Sequence, residues 1–406
     1  MRYLLKDKIF FLIRFIKWIF LATLVGTFVG FLTALFLNLL NITTKLISSF
    51  NYYFIFLPLV LFINSLFLFK FFIKDDVHST DKVIEIINNR GDISFISILK
   101  AFFLPIWTIS WGGSLGKEAP CADVGAGMGN FISKIFKLND NDRKKLMICG
   151  LSAGFASVFG TPIAGSIFGI EILYMDRILY DVLLTSFISS FVSYNVTKIF
   201  GVKYFNYIIN LVNFSFISFY EIILAGIFFG LCSLFFIWVL NINKKICKII
   251  KIQEPFKGFI GGGFLIIFSI LFSSDYLGLG LNFIESSLNG KILPWYSFII
   301  KSFTTGITFN FGGSGGLITP IFFVGAASGN LFAKLLNLDI AFFSKLGLVG
   351  LLSGAVNTPI SASILAIELF GHNIAPYAVL VSLISFFVSG YQTIYPSQRL
   401  TFKKLI

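Results

Sequence analysis

Apolar residues run along this chain in long blocks rather than in alternation. Blocks wide enough to span a bilayer, or most of one, fall near 9–41, 53–73, 94–111, 146–174, 178–200, 213–242, 258–273, 292–311, 319–336, 346–370 and 374–395, since about twenty apolar helical residues cross a hydrocarbon core. The polar stretches between them are short, so the pattern predicts a bundle of membrane helices. Residues 2–18 interleave Arg and Lys with Phe, Ile and Leu, which predicts a helix lying in the interface over 1–18 before the chain enters the bilayer. The run 19–40 is too long for the core of a cleaved signal peptide. A polar break, Val77-His78-Ser79-Thr80-Asp81-Lys82, precedes an amphipathic segment, Val83–Ile87, for which Ser79 or Thr80 offers a hydroxyl N-cap.

One interruption carries charge. Trp111-Gly112-Gly113-Ser114-Leu115-Gly116-Lys117-Glu118-Ala119-Pro120 sets glycines, a cation and a carboxylate between two apolar segments. Pro120 suits a first helical turn because it has no amide hydrogen to leave unpaired. Lys117 and Glu118 therefore stand just before a helix N-terminus, where free amides and the positive dipole end attract an anion. An ionisable residue at membrane depth is a functional candidate by default.

A second copy lies 200 residues downstream, at Phe311-Gly312-Gly313-Ser314-Gly315-Gly316-Leu317-Ile318-Thr319-Pro320. At the same offset Gly125, Ala126, Gly129 and Asn130 match Gly325, Ala326, Gly329 and Asn330, and Gly150-Leu151 pairs with Gly350-Leu351. After a gap of three residues Thr161-Pro162 aligns with Thr358-Pro359 and Ile170-Glu171 with Ile367-Glu368. The chain is thus expected to be one domain over 1–406, built from halves at 19–200 and 214–395, with 396–406 as a tail. Paired broken segments in corresponding halves point to a substrate site at the repeat interface. Glu171 and Glu368 either face a water-filled path as proton relays or cap helix ends, and their duplication favours the caps.

Composition narrows the class. With 56% apolar and 13% charged residues and a mean hydropathy of +0.89, the chain departs from soluble domains, which carry roughly twice the charge. Its 53 phenylalanines suit lipid-facing and packing surface. The net charge of +13 comes from cations in tails and connectors, such as Arg2, Lys6, Lys8, Arg14 and Lys17, Lys244, Lys245 and Lys248, and Arg399, Lys403 and Lys404. Positive-inside bias explains these better than nucleic acid does, and it places both termini in the cytoplasm of a multi-pass membrane protein, for which a bacterial plasma membrane is the expectation. Cys121, Cys149, Cys232 and Cys247 lack metal-like spacing, and His78 and His372 lack acidic or thiol company, so no metal and no cofactor is expected. Gly116-Lys117 is not a nucleotide-binding loop, because Trp111 and Glu118 stand where that pattern needs Gly and Ser or Thr. Ser114 has a twin in Ser314 and no histidine nearby, which argues against an intramembrane protease and against any enzyme.

At these residues the chain resembles the CLC family of chloride channels and chloride/proton exchangers. Gly116-Lys117-Glu118-Ala119-Pro120 is similar to that family's G-(K/R)-E-G-P motif, Gly316-Leu317-Ile318-Thr319-Pro320 to its G-x-F-x-P motif, and Gly390–Tyr395 to the segment that delivers a pore tyrosine. The resemblance implies an all-α polytopic membrane protein, an inverted repeat of tilted and broken helices in two antiparallel halves, paired as a homodimer amid lipid. It implies that Glu118 is the gate, that Gly116, Lys117, Ala119, Pro120, Gly316, Leu317, Ile318 and Tyr395 surround a chloride ion, and that Lys117 offers its amide and a long-range field, its ammonium lying elsewhere. The family's serine motif is missing, which leaves Ser79 as the hydroxyl candidate. Ile172 stands where exchangers carry an internal proton-transfer glutamate. On that ground the expected activity is a voltage- or pH-gated chloride channel, with chloride/proton exchange as the alternative. Fluoride is a lesser expectation because Pro120 differs from the fluoride branch. Nitrate, and a sodium-coupled solute transporter with two broken helices, are lesser alternatives too.

Overall fold

The computed structural model describes residues 2–70, 79–175, 177–204 and 219–399. The first half contains α1 (Arg2–Ser48), α2 (Leu57–Lys70), α3 (Thr80–Asn89), α4 (Phe95–Ser110), α5 (Glu118–Ile135), α6 (Asp140–Phe159), α7 (Pro162–Glu171) and α8 (Tyr180–Ile199). The second contains α9 (Phe219–Ile249), α10 (Glu254–Leu271), α11 (Leu281–Leu288), α12 (Ser297–Asn310), α13 (Ile318–Leu336), α14 (Ile340–Val356), α15 (Pro359–Phe370) and α16 (Ala375–Ser389). Among the described residues there is no β-strand. His78, residues 213–218 of the expected block 213–242, and the tail beyond Arg399 lie outside them.

Three expectations change. The interfacial helix over 1–18 is not separate, because α1 runs unbroken from Arg2 to Ser48; no glycine or proline occurs before Gly26 to stop it. The blocks 146–174 and 346–370 are each two helices. Gly160 ends α6 at φ +75° and Asn357 ends α14 at φ +59°, and a Thr-Pro pair then starts α7 and α15. A left-handed residue followed by proline two positions on is a strong stop and restart. The register through α6 and α14 also moves. Gly125 packs on Gly150, but its repeat mate Gly325 packs on Gly347, not Gly350. The three-residue gap therefore falls ahead of Gly150 rather than after it.

Those glycines decide how close the helices come. A Cβ on Gly125 would lie 2.1 Å from the Gly150 carbonyl oxygen, and one on Gly129 2.1 Å from that of Leu146. In the second half a Cβ on Gly329 would meet the Phe343 carbonyl at 2.1 Å. The α5–α6 and α13–α14 pairs thus touch backbone to backbone, as membrane helices rich in small residues do. Gly165 and Gly169 of α7 are used the same way within the chain, against Ala156 and Ser152.

The halves lock through the Thr-Pro helices. The Glu171 carboxylate, at the end of α7, accepts from the Ile360 and Ser361 amides at the start of α15, at 3.0 and 2.8 Å. Glu368, at the end of α15, accepts from the Ile163 and Ala164 amides at the start of α7, at 3.0 and 2.7 Å. Each acid neutralises the other half's helix N-terminus, so these glutamates are caps between halves rather than within each repeat. Outward-facing Phe28, Phe103, Phe191 and Phe259 give the bundle an apolar surface.

Candidate anion site

Two backbone turns build the centre. Gly112 and Gly312 adopt φ +94° and +93°, a region open to glycine without steric cost, and turn the chain out of α4 and α12. The next amides close back on the helices just left, Gly113 onto the Thr108 carbonyl and Gly313 onto that of Thr308, both at 2.9 Å. The threonine hydroxyls then cross between halves: Ser114 donates its amide to Thr308 Oγ1 and Ser314 to Thr108 Oγ1, both at 3.2 Å. Where the breaks meet, Gly116 and Gly316 exchange two backbone hydrogen bonds of 2.6 and 2.7 Å. The segments 112–120 and 312–320 are thus one structure at the molecular centre. Thr108 and Thr308 also share the offset of 200, a signal that the motif reading passed over.

From this junction α5 and α13 diverge, their N-termini facing one another. Glu118 is the first residue of α5, with Lys117 as its N-cap, not a residue ahead of the helix; Ile318 begins α13 after Leu317. The leading amides of both helices have no carbonyl partner within their own helix. One is taken by the opposite half: Thr319 donates its amide to Glu118 Oε2 at 3.1 Å. The Thr319 hydroxyl lies 2.5 Å from both Glu118 oxygens. The carboxylate, 1% exposed, stands among donors that would otherwise face an anion.

On the side where α1 ends, a vestibule of about 580 Å³ reaches down to Glu118 and Thr319. Asn41, Thr44 and Lys45 of α1 line it, with Lys117, Lys203 and Tyr204. Its floor carries Phe159 and Phe322, ring centroids 5.0 Å apart. Three lysines and no acid besides Glu118 give this funnel a positive field, which concentrates anions. Lys117 lines that funnel, and its backbone caps α5.

The other side, toward the N-terminal end of α1, holds Tyr395, 4% exposed. Its hydroxyl reaches that of Thr80, the first residue of α3. Ser79 caps α3 without a side-chain bond to the helix and lines a small cavity with Pro120, Ser314 and Gly315; the hydroxyl beside Tyr395 is thus one residue later than expected. The segment 395–399 is tied down here, Ser397 N bonding Asp81 at 2.8 Å and Arg399 pairing with the backbone at Leu173 and Met175. Ile172 is fully buried at the C-cap of α7.

Lys301 and Asp123 are among the buried charged residues that escaped the sequence reading. Lys301 of α12 is fully buried and donates to the Tyr276 and Gly278 carbonyls at 3.1 and 2.8 Å; the Gly278 amide in turn bonds the Gly112 carbonyl at 2.8 Å. Asp123 of α5 is 8% exposed and accepts from the Thr80 hydroxyl at 3.1 Å. Neither belongs to the duplicated set, since Phe323 stands at the mate of Asp123 and Ala101 at that of Lys301. The signal for each was an isolated charge inside an apolar helix.

The family described as "Voltage gated chloride channel" matches residues 59–390. A "Chloride/fluoride channel protein" of Pseudomonas syringae pv. tomato is 31% identical over 396 residues, covering 96% of this chain and 87% of the relative. An uncharacterized protein of Methanocaldococcus jannaschii is 28% identical over 398 residues, covering 94% and 96% of the two chains. Among solved structures, a CLC-type fluoride/proton antiporter superposes with a TM-score of 0.89 at 25% identity, covering 95% of this chain and 98% of its own. A slow cyanobacterial Cl-/H+ antiporter reaches 0.78 at 18% identity, with 92% and 94% covered, a likeness of fold.

Proposed function

The chain belongs to the CLC family of anion channels and transporters, and from that premise we propose that it exchanges a halide for protons across the membrane, with Glu118 as the gate that each takes in turn. The observation that carries this reading is the seat of the Glu118 carboxylate on the Thr319 amide and hydroxyl. Two anions share a desolvated site only at high cost. A halide therefore enters when Glu118 swings away or is protonated, and a gate that takes its proton from one side and releases it to the other at each passage moves a proton per passage. Binding by main-chain amides and one hydroxyl, without a cation in direct contact, is weak enough to allow release.

The ion is a halide, and fluoride is favoured. Pro120 suggested chloride, but a relative and a solved structure that both carry fluoride in their names support the smaller ion. A hydroxyl and an amide as close donors suit it as well. Passive conduction is the second reading, favoured by the aliphatic Ile172. The residues 19–200 and 214–395 act as two halves of one transport unit, and a second copy docks on the outward-facing Ile163, Leu184, Phe187, Ile360 and Leu383; cross-linking in liposomes that traps only monomers would contradict the pairing.

The transport test is direct. In liposomes loaded with fluoride or chloride and diluted into halide-free buffer, downhill halide efflux should drive protons inward against their gradient. Efflux that leaves protons at their equilibrium would favour the channel.

A further inference from the structure

Exchange requires a proton to reach Glu118 from the inner face, read as the side of the N-terminal end of α1, and neither the position where exchangers carry an internal glutamate nor its neighbour supplies one. Ile172 has no ionisable group. Its neighbour Glu171 has both oxygens committed to the α15 amides. Asp123 is placed differently. It lies five residues along α5 from Glu118, about 7.5 Å toward the inner face at helical rise, since α5 runs toward Lys134 and the start of α6, where Asp142 pairs with Lys17 of α1.

Its Oδ2 accepts from Thr80, while its Oδ1 is buried without a hydrogen-bond partner. A carboxylate oxygen in an apolar surround is costly to leave unpaired, and beside it is the cavity of about 20 Å³ lined by Ser79, Lys100, Pro120, Ser314 and Gly315, room for about one water with several polar partners. The cavity adjoins the polar start of α3 on one side and the Gly116–Gly316 junction on the other. The charged and titratable groups near Asp123 are Lys100 of α4 on the cavity wall, the Thr80-bound Tyr395 with Asp81 beside it, and Cys121 on its own helix.

Resting on the exchange reading, we infer that Asp123 is the inner proton carrier, taking the place of the missing glutamate at Ile172. Asp123 receives a proton from inner water past Ser79 and Thr80. Through water in the small cavity it passes a proton to the Glu118 carboxylate, leaving Asp123 ionised and Glu118 neutral, with no net change in charge. Thr80 is a positioning residue that orients Oδ2 and leaves Oδ1 unpaired, in a side chain that lines the cavity.

The test uses the full chain in phosphatidylethanolamine and phosphatidylglycerol liposomes, with fluoride and pH electrodes read together. D123N should keep halide efflux while proton uptake falls about tenfold or more, the scale on which a positioned acid acts, and D123E should restore much of the uptake. Unaltered proton uptake in D123N overturns the inference and leaves exchange intact. Absence of proton uptake in the unmodified protein overturns both. Should D123N move neither ion, infrared difference spectra between acidic and neutral buffer decide: a protonated-carboxyl band that shifts in D123E supports the assignment, and a band unchanged in D123E overturns it.

Discussion

Thr319 holds the Glu118 carboxylate with two donors, and under the proposed gating the same donors are what a halide would use once Glu118 has left. Hydrogen bonds to charged groups are worth about 1.5–3 kcal/mol, so in a Glu118→Gln background Thr319→Val should weaken halide binding at least tenfold, with Thr319→Ser close to its parent. Calorimetric titration with fluoride and chloride checks this; equal affinity in Thr319→Val and its parent would remove the hydroxyl from the site. Glu118 was legible in the sequence because a charge between glycines at membrane depth has few structural uses. Thr319 was not singled out, since a threonine before a proline reads as an ordinary helix start, and only the approach of the opposite half turns its hydroxyl onto a carboxylate. Asp123 and Lys301 were missed for a related reason: attention to the duplicated residues hides those that occur once.

At the scale of helices, the caps and the glycine contacts separate structure from transport. Glu171→Gln and Glu368→Gln remove a negative charge from a helix N-terminus, an interaction worth up to about 2 kcal/mol in partly buried geometry. Both variants should lower the unfolding temperature in detergent while proton-to-halide coupling stays that of the parent; lost coupling in Glu171→Gln would make that residue a proton relay instead. Gly125→Val should be more severe than either, because its side chain would meet the Gly150 carbonyl with no room to relax, and overpacking typically costs about 1–3 kcal/mol or more. Retained yield and stability in that variant would contradict the close α5–α6 contact. The apolar blocks and the duplication were readable because hydropathy and identity are local or periodic. The breaks at Gly160 and Asn357 were concealed inside the blocks 146–174 and 346–370, since a Thr-Pro pair interrupts hydropathy for too few residues to divide a span. The continuity of α1 across residue 18 was likewise hidden, because interleaved cations change a helix's environment without stopping its hydrogen bonding.

For the whole molecule, the two halves create what neither has alone: a junction of helix N-termini, a positively lined funnel above it and a polar cluster of Asp123, Thr80 and Tyr395 below. The funnel's share is electrostatic. Replacing Lys45 and Lys203 with Gln should slow halide entry at low salt, and the deficit should fade near physiological ionic strength, where the Debye length is about 8 Å; a deficit independent of salt would point to a direct binding role. Everything nevertheless turns on one carboxylate in the anion's seat. Its most direct test is halide efflux from liposomes across a range of pH, for the unmodified protein and for Glu118→Gln. Efflux should depend on pH in the parent, and in the variant should be indifferent to pH and carry no protons; a variant as pH-dependent and proton-coupled as its parent would remove Glu118 from the gate.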